Sequence, residues 1–287
     1  MSKKVLIVLK EGDRHWVGNG FYVHGLLRPS NELNAIISPF IFLDYASPMK
    51  FKPSRIPKGV GKHPHRGFET VTFAYQGEVE HRDSTGVIGT IKTGDIQWMT
   101  AGRGVIHEGF HSREFSKTGG VFEMVQLWIN LPKKYKMVNP SYQAIVKKDI
   151  PTVSIKNNAT LRVIAGKFNN IKGPASTYTE INIYDIFSKE IENINLKFNK
   201  GTNTILLIIS GNLIIDNKDY VEKSILILER EKEKLSFKTS SNFKALILNG
   251  QPIDEPIVAH GPFVMNTKQE ILTAIDDYQN GSMENNI

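Results

Sequence analysis

Short apolar segments rich in β-branched and aromatic residues recur along most of this chain, separated by Gly, Asn, Asp and Pro. They include ETVTFAYQ, GVIGTIK, FEMVQLWINL, TILLIIS, NLIID, SILILE and KALILNG. This spacing predicts an all-β, mainly antiparallel fold, a sandwich or barrel, because helix-length amphipathic stretches are almost absent before the C-terminus. The 287 residues, 40% of them hydrophobic, suffice for one large or two medium domains with real cores.

One amphipathic helix is expected near the C-terminus. Thr267 and Glu270 form a capping-box pattern, and an apolar face follows. That face comprises Ile271, Ala274, Ile275 and Tyr278, and Gly281 closes the helix. The sequence therefore predicts a short terminal helix on an otherwise β-sheet protein.

A connection between two β units is expected in segment 131–151, which contains Pro132, Pro140, Pro151 and a cluster of lysines. We predict an N-terminal domain of residues 1–140 and a C-terminal domain of residues 141–287 that ends in the helix. Seven of the eight histidines precede this boundary and only His260 follows it. Any histidine-based metal site should therefore belong to the N-terminal domain.

Composition excludes several classes of function. The chain has no cysteine, so disulfides, thiolate catalysis and iron–sulfur ligation by cysteine are ruled out. No signal-peptide pattern and no stretch near the roughly 20 apolar residues of a membrane span are found, so we expect a cytoplasmic protein. The net charge of +7 is scattered and no nucleic-acid-binding motif accompanies it. Direct nucleic-acid binding is therefore not expected.

Three histidines indicate a metal site. His63 and His65 occupy positions i and i+2, so an extended strand would point both imidazoles to one face. His107, from a later strand, can complete a facial set for one divalent ion. By itself an HxH pair around a proline more often marks two surface histidines in a loop. The flanking strands and hairpins favour the metal site, because they allow the two strands to converge.

The chain resembles the pirin family of the cupin superfamily, on motifs spread from about Gly20 to Gly281. The motifs are HPHRGFETVTF, GDIQWMTAGRGVIH, QLWINLP and HGPFVMNT. The resemblance implies two β-barrel cupin domains packed face to face, a bicupin, with one iron-type site in the N-terminal domain. It also implies that His63, His65 and His107 are the metal ligands. In the family a glutamate two residues beyond the third histidine is the fourth.

The fourth ligand does not carry over, because Gly109 occupies its position. Glu108 lies one residue early, where strand alternation would point it away, although a bulge at Gly109 could turn it inward as a ligand or base. The alternative is that a water molecule occupies the fourth coordination position of the metal ion. His111 is a third possible ligand, because it lies on the same strand face as His107. It is four residues further along, however, and four strand residues span roughly 13 Å, too far to reach the same ion unless the chain bends. Glu69 fits the general cupin pattern and is expected to be a supporting residue.

Four further residues are candidates for the substrate pocket. His81 is expected at a strand end or pocket rim. Either Trp98 or Met99 should face inward, into the core or the pocket wall. Arg66, after the second ligand, could orient an anionic substrate or pair with an acidic neighbour.

The resemblance implies quercetin 2,3-dioxygenase activity. A flavonol would coordinate through its 3-hydroxyl and neighbouring carbonyl, dioxygen would be inserted, and the ring would open with release of carbon monoxide. Iron(II) is the first choice of metal, and zinc, nickel, manganese, cobalt and copper remain open. Since a site glutamate can accept the flavonol proton, Gly109 predicts a weakened or absent dioxygenase. The partners would be a small aromatic substrate and dioxygen.

Two other functions stay open at this stage. The chain could be a non-catalytic regulatory protein that acts on transcription or a metabolic enzyme through a protein partner, since fold alone does not fix function. It could also be a metal-assisted isomerase or hydrolase. A monomer is expected, because two domains can bury their facing surfaces within one chain.

Overall fold

The computed structural model describes residues 2–30 and 32–285. These divide into two compact units, each made of discontinuous segments. The histidine unit comprises Gly12–Pro29, Ile41–Lys147 and Asp254–Ile287, and all eight histidines belong to it. The histidine-free unit comprises Met1–Glu11, Ser30–Phe40 and Lys148–Ile253. Strands and helices are numbered below in chain order.

The histidine unit contains a seven-stranded and a four-stranded antiparallel sheet. The strands are β2 (Arg14–Val17), β3 (Phe21–Leu27), β4 (Phe40–Phe51), β5 (Gly59–His65), β6 (Phe68–Gln76), β7 (Val79–Asp83), β8 (Ile88–Ile91), β9 (Ile96–Thr100), β10 (Val105–His111), β11 (Gly120–Asn130) and β12 (Ser141–Ile145). The larger sheet has the order β12-β9-β6-β11-β4-β3-β2 and the smaller one β5-β10-β7-β8. A hairpin of β25 (Val258–His260) and β26 (Phe263–Met265) completes its strands.

The histidine-free unit repeats this arrangement with other strands. The strands are β1 (Val5–Leu9), β13 (Thr152–Lys156), β14 (Ala159–Ala165), β15 (Lys167–Phe168), β16 (Ile171–Lys172), β17 (Ile181–Ser188), β18 (Asn193–Lys197), β19 (Asn203–Ser210), β20 (Leu213–Ile215), β21 (Lys218–Tyr220), β22 (Ile225–Leu228), β23 (Lys234–Thr239) and β24 (Phe243–Gly250). Its larger sheet has the order β1-β22-β19-β24-β17-β14-β13 and its smaller one β18-β23-β20-β21.

The core of the histidine-free unit combines aliphatic and aromatic side chains from both of its sheets. Strand β18 shows why, since Ile194 and Leu196 are buried while the asparagines and lysine between and beyond them are exposed. Leu206, Ile208 and Phe237 from other strands join the same cluster. Alternating side chains thus supply an apolar interior that carries no histidine.

The helices are few and short. They are α1 (Asn34–Ile37), α2 (Arg113–Thr118), α3 (Lys268–Gln279) and α4 (Ser282–Asn285), with 3₁₀ turns at Lys133–Tyr135 and Lys147–Asp149. The predicted capping box at α3 is confirmed, because Thr267 accepts from the Glu270 backbone and the Glu270 side chain accepts from the Thr267 backbone. No helix within residues 2–30 and 32–285 is long and apolar enough to cross a bilayer.

The division into units differs from a single cut at residue 140. Strand β1 pairs with β22 and so belongs to the histidine-free unit. Helix α3, predicted to end the C-terminal domain, belongs to the histidine unit, where Ile271 and Ala274 pack with Ile106 of β10. Strand pairing and helix packing join residues distant in sequence, so a composition break near residue 140 does not reveal this exchange of the two termini.

Candidate metal centre

Strands β5 and β10 bring three imidazoles together. His63 and His65 share one face of β5, and His107 is the cross-strand partner of His63. Nitrogen atoms of the three residues lie within 4.8 Å of one another. Because β5 is an edge strand of its sheet, it tolerates Pro64 between the two histidines. Strand geometry alone therefore produces the facial arrangement.

The buried nitrogens of this triad fit a divalent ion. Within the described residues, Nδ1 of His65 and both ring nitrogens of His107 lack a hydrogen-bond partner. Nδ1 of His63 donates to the Gly61 carbonyl at 2.8 Å, which leaves Nε2 unprotonated for a metal. Unpaired buried nitrogens are costly, and a metal ion would satisfy one nitrogen of each ring.

Burial keeps the triad neutral. It lowers the pKa of His65 to about 3 and that of His107 well below its usual value, and the neighbouring imidazoles add to both effects. Burial also lowers the pKa of His63, although the hydrogen bond to Gly61 opposes this. Neutral imidazole is the form that binds metal. The three residues are thus held ready as ligands at neutral pH.

Glu108 does not join the triad. Strand β10 keeps a regular register with β7, in which Glu108 pairs with Arg82 and Gly109 with His81. A register shift against β5 does occur here, but β5 takes three steps, from His63 to Val60, while β10 takes two. The extra residue is on β5, so β10 alternates normally. Glu108 lines two other cavities together with Arg82 and is not in the histidine cluster, contrary to its suggested role as ligand or base.

Gly109 leaves room where a fourth ligand could stand. It shares the face of His107 and lines the cavity beside the triad. Within the described part of the chain, a Cβ placed on Gly109 would meet no atom within 4 Å. Nor does any carboxylate of the described residues join the triad's cluster. The centre is a three-histidine site with open space on one side.

His111 and Glu69 have structural roles. Nε2 of His111 donates to the Gly20 carbonyl at 2.9 Å, and its ring packs against Phe51 and Phe122. Glu69 accepts hydrogen bonds from Trp98 Nε1 at 2.9 Å and from Thr100 at 2.8 Å. Burial raises the pKa of Glu69 to about 7 in spite of these bonds.

The cavity beside the triad has a volume of about 300 Å³, within the range of small-molecule sites. Its wall is largely apolar and includes Trp128, which stacks on Phe42 with ring centroids 4.3 Å apart. The remaining apolar lining residues are Val17, Phe21, Val23, Val60, Val79 and Met124. Gly261 and Pro262 contribute the wall that comes from the C-terminal segment.

Of the four pocket candidates, only His81 lines this cavity. Trp98 is fully buried against Glu69, and Met99 packs with Ala101 and Val105 beyond the cavity. Arg66 is buried in an ion pair with Asp277 of α3, 2.8 Å away. Arg66 therefore pairs with an acidic neighbour and is not available to a substrate. The assignment of Arg66, Trp98 and Met99 to the substrate pocket is corrected.

Sequence reasoning missed the polar residues of the cavity wall. These are Asp44, Thr72, Gln97 and Gln126. Asp44 pairs with Arg28 at 2.5 Å, and burial raises its pKa while Arg28 opposes the rise. A lone acid within the apolar run FIFLDYA was a usable signal, because a charge inside a buried strand needs a partner. The two glutamines carried no comparable signal.

Comparison with known proteins identifies the family. Residues 24–129 match the sequence profile of Pirin, and residues 183–284 match that of the Pirin C-terminal cupin domain. The chain belongs to the pirin family. Its fold is accordingly that of a pirin, with two cupin domains and a short C-terminal helix. The resemblance found in the sequence motifs is confirmed.

Relatives and a solved structure match 85% or more of the chain. A Pseudomonas aeruginosa protein named "Putative quercetin 2,3-dioxygenase" is 46% identical over 280 residues, 97% of this chain and 98% of its own. The Rattus norvegicus protein named pirin is 36% identical over 251 residues, 85% of this chain and 82% of its own. A crystal structure described as quercetin 2,3-dioxygenase from Acinetobacter baumannii superposes with a TM-score of 0.95 at 47% identity, covering 99% of each chain.

Proposed function

We propose that this pirin is an iron(II)-dependent dioxygenase of flavonols of the quercetin type, weakened by Gly109. The observation that carries the proposal is the neutral three-histidine set, with unpaired buried nitrogens, in the wall of an apolar cavity of about 300 Å³. Relatives and a solved structure with quercetin 2,3-dioxygenase in their names support the choice of reaction. Small aromatic compounds suit a cavity of this size and lining.

The histidines would hold the ion and the walls would hold the substrate. When bound, iron(II) supplies a Lewis acid that acidifies a flavonol hydroxyl and an electron source for dioxygen. His63 is kept in the correct tautomer by Gly61. Trp128, fixed by stacking on Phe42, offers a flat apolar surface for an aromatic ring. The apolar lining excludes water and strengthens the electrostatic interactions inside the cavity.

Gly109 sets the expected rate. Without a carboxylate at this position, the glutamate that could accept the substrate proton is missing from the face of His107. General-base catalysis typically contributes about 10²- to 10⁴-fold. Slow turnover of the natural protein is therefore expected, together with a faster Gly109→Glu variant.

Oxygen uptake and carbon monoxide release test this proposal. Wild type, Gly109→Glu and His63→Ala would be loaded with iron anaerobically and mixed with quercetin and dioxygen. We expect slow turnover in wild type, faster turnover in Gly109→Glu and none in His63→Ala. Equal and robust rates in wild type and Gly109→Glu would refute the claim that Gly109 weakens the activity. No turnover in either protein would refute the proposed dioxygenase activity.

The open fourth position also favours a second candidate, a metal-binding regulatory protein without catalysis. Its test is a pull-down from native cytosol with wild type and His63→Ala. A reproducible partner that requires His63 would support it, and the absence of any reproducible partner would count against it. Cytoplasmic location, a monomeric state and the identity of the metal stay predictions from the sequence.

A further inference from the structure

His81 lies next to the space that Gly109 leaves open. It is the cross-strand partner of Gly109 in the pairing of β7 with β10, so the two residues share one sheet face with His107. The His81 side chain lines the cavity and the residue is 2% exposed. The position places an imidazole beside the triad without making it part of the ligand cluster.

Both ring nitrogens of His81 are unsatisfied. Among residues 2–30 and 32–285, neither Nδ1 nor Nε2 of His81 has a hydrogen-bond partner. A buried polar atom without a partner destabilises the folded protein, so such atoms are rare unless a ligand or water satisfies them. Within the described residues, the ring nitrogens of His81 therefore make no hydrogen bond that would stabilise the fold.

Packing around His81 would be served equally well by a phenyl ring. Its imidazole lies 4.6 Å from the Tyr142 ring at an interplanar angle of 35°, a contact that needs only an aromatic face. The carboxylates of Asp83 and Glu80 interact with His81 through their charge, but neither accepts a hydrogen bond from its ring. This ring contact explains where the imidazole lies but not why residue 81 is a histidine.

We propose that His81 is a substrate-binding residue that hydrogen-bonds a hydroxyl of the aromatic substrate in the space beside Gly109. The inference rests on the proposed function and deepens it by assigning a specificity determinant. A neutral imidazole offers one acceptor and one donor, which suits a ring hydroxyl next to a carbonyl. The missing glutamate side chain makes room for this contact.

The test compares two ligands that differ by one hydroxyl. Binding of 3-hydroxyflavone and of flavone would be measured by quenching of tryptophan fluorescence in zinc-loaded protein, because zinc is redox-inert and so prevents turnover. The variants are His81→Phe, which keeps the stacking, and His15→Phe, a matched change at an exposed histidine of strand β2. Thermal unfolding of each protein would be followed as well.

We expect His81→Phe to reduce the preference for 3-hydroxyflavone about three- to tenfold, the range for one net hydrogen bond. Flavone binding and the melting temperature should not fall, because no contact of the ring nitrogens is lost. His15→Phe should match wild type. An unchanged preference in His81→Phe would overturn the role of His81 alone, whereas a wild type that binds neither flavonoid would overturn the proposed substrate class too.

Gly89→Ala provides a second variant that keeps the histidine. An added methyl group at Gly89 would lie 2.6 Å from His81 Cε1 and 3.0 Å from the Tyr142 hydroxyl, so the imidazole must shift. A reduced preference with Gly89→Ala would support the inference even if His81→Phe folds poorly. A preference that survives this displacement would contradict it.

Discussion

His107 lies directly across from His63 in the antiparallel pairing of β10 with β5, and their imidazole centroids are 4.3 Å apart. This single cross-strand pair joins the two sequence motifs that carry the candidate ligands. Because the pairing fixes both rings on one face, the metal site depends on strand register more than on any flexible loop.

Metal content should depend on each member of the triad. We expect about one divalent ion per chain in protein purified without an affinity metal column, and loss of most of it in His63→Ala or His107→Ala. The reason is that two imidazoles hold an ion much more weakly than three. Inductively coupled plasma mass spectrometry measures this, with His15→Ala as the control. Full occupancy in His63→Ala would exclude the triad as the binding site.

Gly109→Glu should be accommodated and should tighten metal binding. The added side chain enters open space on the face of His107. We expect metal affinity to rise about tenfold or more, which corresponds to about 1.4 kcal/mol. In metal-free protein the same carboxylate should destabilise the fold by about 1 kcal/mol, since it enters an apolar cavity. Competition with a chelator and urea unfolding measure both quantities, and Glu108→Gln should leave metal affinity unchanged.

Stability should fall as the pH falls below the ordinary histidine range. Burial lowers the pKa of His111 to about 4, although its bond to Gly20 opposes this. Between the unfolded value near 6.5 and about 4, the unfolded chain therefore binds a proton that the folded chain does not. The stabilising contribution is complete above about pH 6.5 and is lost as the pH decreases toward 4.

Urea unfolding at pH 7.5, 6 and 5 checks this for metal-free protein. Between about pH 6.5 and 4, each buried histidine should lower the free energy of unfolding by about 1 kcal/mol for every unit by which the pH falls. His111→Phe should reduce the slope, because a phenyl ring fits among Phe51 and Phe122 and does not titrate. A pH-independent free energy of unfolding in wild type would contradict the burial of neutral imidazoles.

Removing Asp277 should loosen helix α3. Its carboxylate pairs with Arg66, whose side chain is only 4% exposed and would remain buried and charged. Since Asp277 itself is 28% exposed, we expect Asp277→Ala to cost about 1 to 3 kcal/mol. Thermal unfolding and hydrogen exchange along α3 measure the loss. Lys117→Ala, which removes a fully exposed pair with Glu114, should leave the melting temperature essentially unchanged.

Much of the fold followed from local patterns. The β-rich segments lie in strands, and the Thr267 capping box begins α3 where expected. Strand parity also placed Gly109 on the face of His107 and Glu108 off it, because β10 alternates regularly against β7. Patterns of this kind depend on neighbours in sequence, and so they can be read from sequence alone.

The alternation of side chains along a strand did not predict which residues line the cavity. Gln97 and Met99 share a face of β9, yet Gln97 lines the cavity and Met99 packs beyond it. Alternation gives the side of a sheet but not the distance along the strand at which a cavity ends. The partner of Arg66 was equally hidden, since Asp277 lies 211 residues away in sequence.

The exchange of terminal segments has a consequence for the order of biosynthesis. Pro262 and Gly261 line the cavity beside the three histidines. The ribosome makes the three candidate ligand histidines long before it makes that wall. A nascent chain ending at residue 147 would hold the three histidines but an unfinished pocket, so the cavity can close only after residue 262 has been made.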